Sequence, residues 1–286
     1  MKARVIFLTV LVACSGLLGG CAIEIGNQQL DPPWEKTTAP IVWIVVGDVS
    51  QSTRPFRDEY LSALTRILEE IRYGDTVVVM SAENESVQNS DFWVECDVPA
   101  FRYVPSTPRP DTDNADMTNG WIAKQTPLYE AALDKFKREH DLVDVRKDII
   151  KLSRGPLAHD VAAGTDIFGA LYVASTLFSA TPGERRLVLL SDGLVQTPEA
   201  DWRYGPVTQA SVDRVVTAQR RSGRLPDLKA TSAVLVGAHT SDPGRFAALE
   251  RGWRQYLAAT NGVLAHFMRK YSSTILDQWL PDRPEQ

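Results

Sequence analysis

The sequence predicts an α/β fold: a doubly wound, mostly parallel sheet flanked by helices, with one irregular insertion. Three observations predict it. Short runs rich in Val and Ile, such as Ile41-Val42-Trp43-Ile44-Val45-Val46 and Leu187-Val188-Leu189-Leu190, lack polar alternation and read as strands covered on both faces. Amphipathic helical stretches separate such runs, so strand and helix alternate along the chain. Two of the runs end in oxygen-bearing side chains, Asp48, Ser50 and Ser52 after one and Ser191-Asp192 after the other, at the strand edge where open α/β sheets place binding sites.

The chain has 286 residues, 44% of them hydrophobic, enough for one substantial core, which we place in a single domain over residues 41–280. Residues 1–20 are set apart: Lys2 and Arg4 precede the apolar run Val5 to Ala13, and Leu18-Gly19-Gly20-Cys21 follows, the pattern of a signal peptide. The apolar run is shorter than the ~20 residues of a spanning helix. Leu18 to Cys21 resembles the lipobox of bacterial lipoproteins, which implies lipidation of Cys21. Ala22 follows, and by that resemblance the protein is expected at the outer membrane, facing the periplasm, held by lipid chains and not by a spanning helix. Residues 21–40, mostly polar and broken by Pro32 and Pro33, read as a tether.

After the strand at 41, Tyr60, Leu61, Leu64, Ile67, Leu68 and Ile71 mark a helix that stops at Gly74-Asp75, and Thr76 to Met80 is a second buried strand. Residues 83–150 are the irregular insertion. Phe92 to Val104, interrupted by Pro99, suggests an edge strand or hairpin. The acidic stretch Asp111 to Asp116 superficially resembles a calcium loop, but Ala115 and Asp116 occupy a ligand and a glycine position, and a solvated loop is the better reading. Leu128, Ala131, Ala132, Leu133 and Phe136 form the apolar face of a helix from Leu128 to Leu152, broken near His140. Ile167 to Phe178 is a further helix, Leu187 to Leu190 a strand, and Val207 to Arg221 a helix. Ser232 to Val236, Phe246 to Ala259, Val263 to Phe267 and Tyr271 to Trp279 complete the alternation as strand, helix, strand and helix.

Of 31 basic residues Lys2 and Arg4 leave with the signal, so 29 face 36 acidic ones and the mature net charge is −7, which argues against nucleic acid as a partner. Of the three cysteines Cys14 is in the signal and Cys21 would be acylated, so Cys96 stands alone and reads as a partly buried small residue. His140, His159, His239 and His266 are scattered and read as surface or core residues, and Trp43, Trp253 and Trp279 as packing residues.

Asp48-x-Ser50-x-Ser52, Thr165 in Gly-Thr-Asp and Asp192 in Ser-Asp-Gly each fall where a strand ends or a helix begins. Singly, each reads as turn or helix-cap chemistry. In this order, they resemble the metal-ion-dependent adhesion site of von Willebrand factor A domains, a resemblance covering roughly residues 41–270. It implies that Ser50, Ser52 and Thr165 bind the ion directly, that Asp48 and Asp192 act largely through water, and that a partner's Asp or Glu supplies the last ligand. The donor types agree independently: hydroxyl and carboxylate oxygens favour Mg²⁺, or Mn²⁺ and Ca²⁺, over zinc. Glu83 and Asp166 are rim candidates, Asp166 reading first as a helix-start carboxylate. Asp201, Trp202, Arg203 and Tyr204 fall on the same face, as partner contacts or as local packing.

The function expected is a membrane-tethered, cation-dependent protein-binding module, its partner an envelope, secretion or conjugation protein presenting an acidic residue. The alternatives are a metal-dependent hydrolase or phosphatase with Asp48 or Ser50 as nucleophile, for which no catalytic motif or general base is visible, and a structural module with a vestigial site.

Overall fold

The computed structural model describes residues 30–35, 39–82, 87, 91–158 and 165–282. The expectations for the signal peptide, Cys21, Glu83 and His159 lie outside these residues.

The strands are β1 (Ile41–Asp48), β2 (Thr76–Ala82), β3 (Phe92–Asp97), β4 (Glu184–Leu190), β5 (Thr231–Val236) and β6 (Val263–Met268). They form one sheet in the order β3-β2-β1-β4-β5-β6, parallel except for β3, which runs antiparallel on the edge. The helices are α1 (Arg57–Glu69), α2 (Ala115–Glu139), α3 (Leu142–Ala158), α4 (Ile167–Ala180), α5 (Gln209–Arg221), α6 (Pro243–Ala259) and α7 (Ser273–Trp279). This is the doubly wound α/β arrangement.

All eight residues of β1 are buried because side chains alternate between two covered faces. Val42, Ile44 and Val46 enter a core with Leu187, Leu189 and Leu235 of the neighbouring strands and with Phe168, Phe178, Val212, Trp253 and Tyr256 of α4, α5 and α6. Ile41, Trp43 and Val45 enter the opposite core with Tyr60, Leu64, Ile67, Ile149, Leu276 and Trp279 of α1, α3 and α7. One strand thus holds both helical layers. At its start the buried Asp75 carboxylate accepts from Ile41 N–H (2.8 Å), Arg72 N–H (3.0 Å) and Trp43 Nε1–H (3.2 Å), joining the strand to the turn before β2.

The winding reverses at β1. From it the chain moves outward through β2 to β3, then returns to β4 on β1's other side, so the C-terminal ends of β1 and β4 flank the switch point.

The insertion is more ordered than its sequence suggests. Helix α2 begins at Ala115, not at Leu128, because the Asn114 side chain caps it by accepting from Asp116 and Met117 N–H at 3.0 and 3.4 Å. Asp116, at the end of the acidic stretch, lies in the first turn, where a carboxylate opposes the helix dipole. The helix runs through Pro127, which costs it one backbone bond on an exposed face. The apolar face also differs: Leu128 and Ala131 are exposed, and the inward line is Ile122, Gln125, Tyr129, Leu133 and Phe136. The break at His140 separates α2 from α3 as the sequence predicts. Within the stretch read as a tether, Pro33–Glu35 forms a 3₁₀ turn whose Trp34 ring packs against α2.

Candidate metal centre

The chain leaves β1 at Asp48 and turns at once into a 3₁₀ segment, Gln51–Phe56. Ser50 sits at its N-cap with extended backbone (φ −64°, ψ 161°), yet its hydroxyl caps nothing and lies 3.0 Å from the Ser52 hydroxyl. Its own N–H donates to Asp48 Oδ1 at 3.0 Å, closing the Asx-type turn that carboxylates favour at such corners. Thr53 Oγ1 lies 2.8 Å from both the Asp48 and Ser50 carbonyls. The buried Arg57 guanidinium donates to the carbonyls of Val49 (3.0 Å), Ser50 (3.1 Å) and Leu157 (2.5 Å), so it clamps the loop to α3. The carbonyls of Asp48, Val49 and Ser50 are thus held by side chains of the loop and of α1, and of the two serines Ser52 is exposed whereas Ser50 is buried.

Sheet register brings in the rest. Gly47 pairs with Leu190, so the residues after β4 arrive beside Asp48. Ser191 Oγ donates to Asp48 Oδ2 and Thr165 Oγ1 to Asp48 Oδ1, each at 2.8 Å. The Asp192 carboxylate accepts from Leu194 N–H at 2.9 Å. Gly193 makes the bend with φ +75°, a conformation glycine adopts without strain, and Trp253 Nε1 donates to its carbonyl at 2.9 Å.

All five residues singled out from the sequence, Asp48, Ser50, Ser52, Thr165 and Asp192, therefore converge on one corner. Asp48 and Asp192 are 1% and 2% exposed, whereas Thr165 is half-buried and Ser52 exposed, so the cluster opens to solvent on its hydroxyl side. Its electrostatics are unbalanced. Burial first and the Asp48 charge second push the Asp192 carboxyl up to about 6, against the lowering effects of Ser52, Leu194 N–H and Arg203. Among the described residues neither carboxylate has a basic side chain within ion-pair distance. Two buried like charges beside a set of hydroxyl oxygens fit a hard divalent cation, which would supply the missing positive charge.

Other candidates separate. Trp202 is not a surface contact: it is fully buried, edge-on to Phe168 and Trp253 at centroid distances of 5.6 and 5.7 Å, because its ring fills the core beneath the loop after β4. Arg203 is half-buried and bonded to Asp201, with its guanidinium 5.3 Å from the ring centroid of Tyr204, which is 82% exposed. Asp166 caps α4, accepting from Gly169 N–H at 2.8 Å, one position before the first helical turn.

Three participants were not singled out by the sequence. Ser191 was visible only as the neighbour of Asp192. Arg57 lies at the start of α1, and no sequence feature marks it as buried. Tyr60, fully buried on α1, has a hydroxyl without a hydrogen-bond partner, and its pKa is raised well above the ordinary value by burial first and then by the charges of Asp48 and Asp192. The exposed His239 stands at the rim, its N–H bonded to the Asp192 carbonyl at 3.1 Å and its ring 4.8 Å from that of Phe56.

No protein-family model and no curated protein matches the chain. Among solved structures it is similar, at 10% identity and a TM-score of 0.45, to the open conformation of the pilus adhesin SpaC from Lactobacillus rhamnosus GG, over 86% of this chain and 29% of the adhesin. It is similar, at 12% identity and a TM-score of 0.39, to a von Willebrand factor type A protein from Catenulispora acidiphila, over 85% of this chain and 42% of that one. An aerotolerance-related membrane protein from Bacteroides fragilis also matches at 12% identity and a TM-score of 0.39, over 84% of this chain and 96% of that one. The chain thus spans less than a third of the adhesin's length and less than half of the Catenulispora protein's. The strand order and registers given above, not these similarities, define the fold.

Proposed function

We propose that this domain is a divalent-cation-dependent protein-binding module, held at a bacterial envelope membrane by lipid on Cys21. Asp48, Ser50, Ser52, Thr165 and Asp192 would hold Mg²⁺, or Mn²⁺ or Ca²⁺, and an Asp or Glu of an envelope, secretion or conjugation protein would complete its coordination. The observation that carries the reading is the pair of buried carboxylates, Asp48 and Asp192, without a basic partner among the described residues, beside the exposed Ser52 and half-buried Thr165 at the switch point. The ion, when bound, supplies an electrophilic centre for a partner carboxylate. The chain's own residues do the rest: Asp48 orients Ser50, Thr165 and Ser191 through three hydrogen bonds, and Arg57 holds the loop backbone. The motif order, which resembles the metal-ion-dependent adhesion site, supports the same reading. The role assigned is binding, without turnover.

Affinity capture from envelope extracts tests it, run with Mg²⁺, with EDTA and with Asp48→Ala. The proposal expects a partner retained only by the wild type with Mg²⁺. Identical capture in all three arms would sink it.

A further inference from the structure

At the opposite end of the sheet lies a cleft of about 1070 Å³, bordered by the residues that lead into β1 and β2 and by the loop after β3. The eight residues of β1 put it about 25 Å from the carboxylate corner. Pro33, Trp34 and Glu35 of the N-terminal segment line one side of it, and the facing side is tied together by bonds that do not involve them. Buried Gln125 of α2 accepts through Oε1 from Tyr103 Oη–H (3.0 Å) and Ser106 N–H (3.1 Å), and donates through Nε2 to Thr107 Oγ1 (3.0 Å). Trp121 Nε1 also reaches Thr107, 3.0 Å from Oγ1 and 3.2 Å from the carbonyl. Loop and helix are thereby joined to each other, and their rings form an aromatic cage.

The chain's own Trp34 occupies this cage. Its ring lies 5.2 Å from Tyr103, 5.7 Å from Trp121 and 5.7 Å from Tyr129, centroid to centroid, in tilted and edge-on geometries that favour aromatic attraction. Around it Leu30 N–H donates to Asn119 Oδ1 (3.0 Å), Glu35 N–H closes a turn on the Pro32 carbonyl (3.0 Å), and Glu35 faces Arg109 (3.4 Å). Trp34 belongs to neither buried core of the sheet, and it is half-exposed. The neighbouring ion pair of Glu35 with Arg109 is solvent-exposed as well, a kind of contact that holds weakly.

We propose that residues 30–35 form a latch: Trp34 plugs the cage reversibly and thereby fixes where the N-terminal segment leaves the domain, beside α2 and not at the start of β1. Latching takes the eleven steps from residue 30 to residue 41 out of any free tether, up to about 37 Å of extended chain. On the lipid-anchor reading above, the nine steps from Cys21 to Leu30 would remain as tether while the carboxylate corner points away from the membrane. The latch itself rests on neither the anchor nor the ion.

Hydrogen exchange on the full-length protein, read at the Leu30 and Glu35 amides, tests the latch without metal or partner. Trp34→Ala should speed their exchange by about tenfold or more, Trp121→Ala on the cage side should do the same, and Trp34→Phe should fall between, all with β1 amides unchanged. Intrinsic peptide rates in the wild type, or no change in either alanine variant, would overturn it. So would faster exchange throughout β1 in Trp34→Ala, since Trp34 would then be part of the fold.

Discussion

Asp48→Asn separates the proposed ion from the fold most cleanly. The native carboxylate accepts from Ser50 N–H, Thr165 Oγ1–H and Ser191 Oγ–H. An amide of the same shape keeps one oxygen and turns an NH₂ toward donors, so at least one of the three bonds is lost, a cost of about 1–2 kcal/mol at a buried site. Part of that is returned, because the change removes the charge that disfavours ionised Asp192. The metal-free variant should therefore melt only a few degrees below the wild type. The ion's contribution is different in kind. At 10 mM Mg²⁺ and a dissociation constant of ~0.1–1 mM, linkage gives about 1.4–2.7 kcal/mol, or roughly 3–10 °C in Tm for a domain of this size. Thermal melts of both proteins in EDTA and in Mg²⁺, Mn²⁺ or Ca²⁺ provide the assay. The wild type should show the rise and Asp48→Asn should lose it. A rise of equal size in Asp48→Asn, or none in the wild type with any of the three ions, refutes the reasoning.

The raised Asp192 pKa sets a pH dependence whose sign differs with and without metal. In the metal-free protein the folded state holds this proton up to about pH 6 while the unfolded chain releases it near 3.8, so stability from this group falls as pH rises between the two and stays low above. Because the ion competes with the proton, its affinity should weaken by up to tenfold per pH unit below about 6, measurable by calorimetric titration across that range. Arg57→Lys keeps the charge but cannot span three carbonyls; ion affinity should fall about 10–100-fold with helix content unchanged, as read by the same titration and circular dichroism. Tyr60→Phe removes the unpartnered hydroxyl beneath the site and should raise stability by about 1 kcal/mol in urea unfolding, whereas a loss of that size would reveal a partner for the hydroxyl.

What the sequence made legible follows from where each signal is stored. β1 and β4 are covered on both faces, so burial is written into uninterrupted apolar runs, and their polar ends stand out by contrast. Asn114, by comparison, sets the start of α2 through one side-chain cap, a weaker sign than Pro127, which points to a later start. Arg57 is a polar residue whose burial depends on Leu157, 100 positions away, and no local pattern encodes that, whereas Tyr60 is legible as part of the apolar face of α1 but not as a neighbour of the two carboxylates. Trp202 and Trp34 show the same limit from opposite sides: the first, adjacent to the site in sequence, belongs to the core, and the second, in a polar stretch, is held by rings from the insertion.

The metal-centre residues were legible for a further reason, which lies in topology. Two acid-ended strands could belong to any two positions of a sheet, and strands lie about 4.8 Å apart, so a single intervening strand would separate their carboxylates by roughly 10 Å. In a doubly wound sheet the two strands flanking the switch point are necessarily neighbours. The register Gly47 to Leu190 then sets the residue after β4 against Asp48, and the 2.8 Å bond from Ser191 to Asp48 is the direct result. Shifting that register by one residue would turn Ser191 to the other face and remove the bond. The site therefore depends on pairing between β1 and β4 as strictly as on the identity of its ligands, and the apolar side chains that fix this pairing, Ile44, Val46, Leu187 and Leu189 in one core with Val45, Val188 and Leu190 in the other, are part of what positions the oxygens.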